Sequence, residues 1–241
     1  GLTVLYPEKT VTSHEELEAA LADKTIKTIA IKGIIGSTNN YNIYTLNRDD
    51  VTILGTEGAK VYGTFIIKAN NVTIENLAIE NKGDLKGKGS TANRSAIYVY
   101  GESVTIANNT LTNGLGDNEG LSNAIQIMSP EESSLDKYIL TSNTLTGHDN
   151  QWGEWVSSGI VVVQGFTSGT VGGYGYAITA TDENYQNILK NNTFTNNKVD
   201  LGHQDWEGGL TVLYPETIVT NHEELESALA NKTIKTIAIK G

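Results

Sequence analysis

Val72-Thr73-Ile74-Glu75-Asn76-Leu77-Ala78-Ile79 is the stretch on which the fold of this chain turns. Apolar and polar residues alternate up to Glu75, the pattern pauses at Asn76, and Leu77 and Ile79 resume the alternation. A period of two belongs to a strand with one buried face and never to a helix. Asn fits the pause because it tolerates the left-handed backbone region and bonds to nearby backbone. Three further segments align with it: Val104-Thr105-Ile106-Ala107-Asn108-Asn109-Thr110-Leu111, Tyr138-Ile139-Leu140-Thr141-Ser142-Asn143-Thr144-Leu145 and Asn187-Ile188-Leu189-Lys190-Asn191-Asn192-Thr193-Phe194. Each reads as strand, tight polar turn, strand. Asn residues recurring at one corner are expected to stack their amides into a ladder.

A third short strand precedes each segment, at Phe65–Lys68, Ala96–Tyr100, Ala124–Met128 and Gly159–Val163. Three strands per coil with one tight Asn corner resemble the pectate-lyase-like superfamily. Val51-Thr52-Ile53-Leu54-Gly55 through Ile79-Glu80-Asn81 is similar to its early coils, as is a capping helix leading into Ile29-Ala30-Ile31. The resemblance covers about 10–208 and implies an all-β fold. The expected fold is a right-handed, single-stranded parallel β-helix, a β-solenoid, with short capping α-helices near both ends. The distances Ile74 to Ile106, Ile106 to Leu140 and Leu140 to Leu189 are 32, 34 and 49 residues. The added length is expected in loops, chiefly 114–123, 129–137, 147–158 and 164–185, where a rigid scaffold usually carries its function.

The two ends of the chain repeat one another. Residues 1–33 return at 209–241 with five differences: Lys9/Thr217, Thr10/Ile218, Ser13/Asn221, Ala19/Ser227 and Asp23/Asn231. Ser13 with Glu16, and Asn221 with Glu224, have the spacing of a helix N-cap followed by a capping-box acid, which predicts helices over about 14–22 and 222–230. Leu17, Ala20 and Leu21 share one face of the first helix, which must lie across the end of something larger. Residues 1–208 therefore read as one repeat unit and 209–241 as the start of the next, packing on the C-terminal end of the solenoid. Such arrays are extended proteins. The reading expects these residues to be a piece of a longer chain, with any export signal outside it.

Charge and composition narrow the function. A net charge of −11 with no basic run argues against nucleic acid and anionic membranes as partners. Cysteine is absent, which removes disulfides and thiolate metal sites. No apolar run is long enough to span a bilayer, so no membrane insertion is expected.

Enzymes of the resembled superfamily place acids and a Lys or Arg base on the outer face of the strands Ala96–Tyr100, Ala124–Met128 and Gly159–Val163. With Ile97/Val99, Ile125/Ile127 and Ile160/Val162 inside, alternation exports Ala96, Tyr98, Tyr100, Ala124, Gln126, Met128, Gly159, Val161 and Val163, none of them ionisable. A lyase needs a cation and a base, and a hydrolase needs paired carboxylates. Neither constellation is present on this face, so the chain is not expected to be an enzyme. Gly147-His148-Asp149 and Asp49-Asp50 look like hydrolase fragments but stand in the wrong order, and read as loop and turn residues.

The exported row is more apolar than a solvated face. Either the loop 147–155 folds back and covers it with Trp152 or Trp155, or the aromatics stay exposed and stack on sugar rings or a partner. The candidate ligand-binding residues are Tyr98, Tyr100, Trp152 and Trp155. Calcium is the one ion the loops suggest, through Asp117, Glu119, Asp149 and Asp182, which offer hard oxygens but no EF-hand spacing. No other cofactor is expected.

The leading expectation is a structural or adhesive repeat of a large extracellular, cell-surface or filament-forming protein, joined to other copies head to tail through the repeated segment. The alternative is a non-catalytic carbohydrate-binding module taking polysaccharide or, behind it, a polysaccharide lyase acting on acidic glycans.

Overall fold

The computed structural model describes residues 6–85, 95–116, 118–128, 133–153, 155–164, 178–205, 211–213, 217–231 and 237–239. The chain is mostly β, in large parallel sheets with few and short helices.

Strand pairing follows the hydrophobic alternation. In the first stack, Ile29, Ile53, Ile74, Ile106 and Leu140 are successive register partners, all parallel. A second run links Ile35, Val61, Ile79, Leu111, Leu145 and Phe194. A third links Tyr44, Phe65, Ile97, Ile125, Ile160 and Leu201. The long strand Lys60–Ile67 belongs to the second run through its first half and to the third through its second half. These side chains, apart from the half-buried Phe194, form one buried cluster. A one-residue slip would turn every one of them outward, so burial holds the register.

Two corners flank the first stack, and both use the left-handed region. Asp50, Asn71 and Ser103 lead into it and Asn76, Asn108 and Ser142 lead out, with φ between 56° and 60°. The expected ladder forms one residue beyond the second corner. Asn109 Nδ2 donates to Asn143 Oδ1 at 3.1 Å, and Asn143 Nδ2 donates to Asn192 Oδ1 at 2.9 Å. Each amide also donates to a backbone carbonyl, of Ile74, Ile106 and Leu140 respectively. At the other corner Asp49 Oδ1 accepts from Asn70 N, Asn70 Oδ1 accepts from Glu102 N, and Glu102 pairs with Lys137 at 2.9 Å.

Three α-helices are described. α1 (His14–Ala22) and α3 (His222–Ala230) occupy the predicted spans with Ser13 and Asn221 as N-caps, but the expected capping-box acids Glu16 and Glu224 accept from Thr12 and Thr220, one residue before the cap. α2 (Asp182–Asn191) corrects the reading of 187–194. Only Thr193–Thr195 is strand there, and 187–191 is helical. Thr181 and Asn184 form a reciprocal capping box, and Tyr185 and Ile188 are buried at helical spacing. The helix packs on Ile139–Thr141, the last strand of the first stack. A helix satisfies its own backbone, so it ends the stack where another strand would present a new open edge. Asn192 joins helix to ladder, since its Nδ2 also donates to Ile188 O at 2.8 Å.

At the end of the third run the direction reverses: Thr211–Leu213 lies antiparallel to Val199–Asp205.

Candidate functional site

The aromatic row expected on the outer face of the third run is covered. Tyr98, Val161 and Val163 are 5%, 1% and 1% exposed, and Ala96, Ala124, Gln126 and Met128 are buried. Tyr98 and Tyr100 stack with ring centroids 6.2 Å apart and planes 9° from parallel, and Tyr100 is half-buried. Met128, Val163 and Tyr100 make a small apolar cluster separate from the main core. Trp152 and Trp155 are backbone register partners in a hairpin of two-residue strands. Trp152 is half-buried, and the side chain of Trp155 lies outside the described residues.

The acidic candidates are dispersed. Asp117 lies outside the described residues. Glu119 and Asp149 are exposed, and Asp182 stands in the first turn of α2, where a carboxylate complements the helix N-terminus. Among the described residues no three His, Asp or Glu side chains come together as a metal site.

His148 is fully buried, with Nδ1 2.7 Å from Ser122 O and Nε2 3.4 Å from Leu111 O. Desolvation pulls its pKa down to about 4, against the raising effect of the two carbonyls. At neutral pH the ring is uncharged and donates to Ser122 O, tying the third run to the second. Around it Asn113 Nδ2 donates to Gly147 O and Asn150 Oδ1, and Asn150 Nδ2 donates to Gly116 O and Asn118 O. These amides brace two loops; the sequence showed only scattered Asn.

A second polar group sits on the second run. Lys60 Nζ is 2.8 Å from Glu80 Oε2 and lies 4.3 Å from the centre of the Tyr62 ring. Tyr41 donates its hydroxyl to Glu80 Oε1 at 2.7 Å. Burial first, and the carboxylate second, push the Tyr41 phenol pKa up.

The feature with consequences beyond one group of side chains is the repeated segment. In the first copy Lys9, Thr10 and Val11 pair in parallel with Ile29, Ala30 and Ile31. In the second, Thr217, Ile218 and Val219 pair with Ile237, Ala238 and Ile239, the same register 208 residues on. The entry to the helix is duplicated too. Thr12 N and Oγ1 both donate to Glu16 Oε2, and Thr220 N and Oγ1 both donate to Glu224 Oε2. These bonds hold both glutamates below the usual carboxylate range. His14 and His222 each approach the glutamate four residues on, at 3.4 and 3.3 Å.

Burial separates the copies. Leu17, Ile29 and Ile31 are 0% exposed, because the strand Thr52–Gly55 lies beside Thr28–Ile31 and the first helix packs over Asn42–Leu46. In the second copy Leu229 and Ile239 are 68% and 70% exposed, and Leu225 and Ile237 are half-buried.

No family model, no curated protein and no solved structure matches this chain.

Proposed function

We propose that the chain is a repeat unit of a large extracellular surface or filament-forming protein, and that its fold is a right-handed parallel β-helix. The three parallel runs, visited in the same order on each pass and sharing one apolar interior, support that fold. The role rests on one observation: a 33-residue segment recurs at an offset of 208 with its strand register and helix cap reproduced. A unit that begins again as it began is built to be joined in series. The acidic balance keeps such an array soluble and apart from nucleic acid. With Tyr98 buried, assembly is favoured over a sugar-binding platform on that face.

Electron microscopy of chains carrying one, two and four units in tandem tests the proposal. Parallel strands stack at about 4.8 Å, so the six strands of the third run span roughly 25 Å, and each added unit is expected to lengthen the particle by at least that amount. Particles that grow in all directions, or aggregate without a regular repeat, would overturn it. Light scattering over a concentration series, with and without calcium, reports whether single units also associate.

A further inference from the structure

We infer that the second copy of the repeated segment, over 217–239, takes the place of residues 9–31 on another molecule of the same chain. The inference rests on the tandem-array reading and adds the partner, a second copy, and the seat.

The seat is defined by what holds the first copy. Thr28–Ile31 runs in register with Thr52–Gly55, burying Ile29 and Ile31. Leu17 packs into the same core. Tyr44 OH lies 3.1 Å from His14 Nδ1. Arg48 donates through Nε to Leu21 O and through Nη2 to Ala20 O, closing the last turn of α1. A cation on the final carbonyls of a helix also meets the negative end of its dipole.

Every residue that the first copy contributes to these contacts recurs in the second. The positions buried in the first copy, from Val11 to Ile31, carry the same residues at Val219 to Ile239. His222 stands for His14. The differences fall elsewhere: Lys9, Thr10, Ala19 and Asp23 are exposed, and at half-buried Ser13 the replacement Asn221 accepts the same capping bond from Glu224 N. The second copy thus has the complete inner face of the first, and its Leu229 and Ile239 are exposed where Leu21 is half-buried and Ile31 fully buried. The partner that fits this face is drawn in the same molecule: a strand like Thr52–Gly55 and a guanidinium like that of Arg48.

Exchange between copies makes and breaks equivalent contacts, so concentration decides it. A molecule's own first copy competes at an effective concentration of order mM, which keeps a single unit closed at low concentration. Vacating the seat removes that competitor. The contact joins the tail of one molecule to the head of the next, a heterologous arrangement that propagates instead of closing.

The absence of cysteine allows a direct test on the full chain. Thr28 and Thr52 are register partners, and Thr236 is the counterpart of Thr28. The acceptor carries Leu17→Asp and Ile29→Asp to vacate its seat, plus Thr52→Cys; the donor carries Thr236→Cys. On oxidation a disulfide-linked pair is expected, at least tenfold above the yield from an acceptor with an intact first copy. It is expected to vanish when the donor also carries Leu225→Asp and Ile237→Asp. A Leu17→Ala acceptor replaces the charged variant if that one loses its strand signal in circular dichroism. No cross-link, or one indifferent to Leu225→Asp and Ile237→Asp, overturns the exchange. Loss of the cross-link alongside regular length increments in the tandem series refutes the exchange alone, whereas loss of the increments refutes the array.

Discussion

Replacing Asn143 by Ala removes the middle rung of the amide ladder. Its Oδ1 accepts from Asn109 N and Asn109 Nδ2 at 3.0 and 3.1 Å, and its Nδ2 donates to Ile106 O and Asn192 Oδ1 at 2.8 and 2.9 Å. The side chain is fully buried, so water cannot replace these bonds. Asn109 Nδ2 keeps Ile74 O, and Asn192 Oδ1 keeps the Asn143 amide. Asn109 N–H loses its partner outright, while Ile106 O loses one donor but stays in the strand pair with Ile139–Thr141. At about 1–3 kcal/mol for a buried group left unsatisfied, the expected loss is about 2 kcal/mol. For a chain of this size that corresponds to roughly 6 °C in melting temperature. Urea denaturation measures the loss, and hydrogen exchange at the Asn109 amide locates it. Asn143→Leu separates hydrogen bonding from volume, because Leu77 occupies the equivalent position two strands earlier in the stack, before Asn109, and is 1% exposed. If Asn143→Leu restored full stability, or if the Asn109 amide exchanged no faster in Asn143→Ala, the ladder would not be the stabilising element argued for.

Other consequences follow from individual contacts. His148 binds a proton in the folded chain only near pH 4, but near 6.5 when unfolded. The unfolded state therefore takes up the proton first as pH falls; His148 opposes folding by nothing above pH 6.5 and by about 3 kcal/mol by pH 4. Denaturation midpoints between pH 7 and 5 should fall more steeply for the wild type than for His148→Asn, and equal slopes would contradict a buried neutral ring. Gly101→Ala would set a Cβ 1.8 Å from Ala69 O, so the corner must move; a loss of at least about 2 kcal/mol is expected on denaturation, and an unchanged midpoint would show that the corner yields freely. Glu80→Gln removes the charge facing Tyr41 and Lys60, and the Tyr41 phenol should then titrate at lower pH in an ultraviolet absorbance titration. No change in that titration would deny Glu80 its electrostatic role.

Much of this architecture was legible because it rests on short-range rules. Alternation around Ile74, Ile106 and Leu140 marks the inward face of a strand whatever it pairs with. Ser13 and Asn221, each followed three residues later by Glu, mark helix starts through bonds that close within one turn. The repeat of 1–33 at 209–241 is visible by comparison of letters alone. The corner Asn residues were legible as a class, but the geometry divides their work: Asn76 and Asn108 take the left-handed turn, and Asn109, Asn143 and Asn192 carry the ladder.

The rest depended on neighbours distant in the chain. Residues 187–191 have a strand's alignment and a helix's face, and the end of the first stack selected the helix, aided by the Thr181–Asn184 capping box. Tyr98 and Val161 alternate outward, yet whether an outward face meets water depends on what crosses it, and here it is covered. His148 looks in sequence like any loop histidine; only the fold places it between two carbonyls away from solvent. Leu17 and Leu225 sit in nearly identical segments, one wholly buried and the other half-buried. Local propensity and capping act within a few residues and so belong to the sequence, whereas burial depends on which strand lies alongside and is decided only by the tertiary structure.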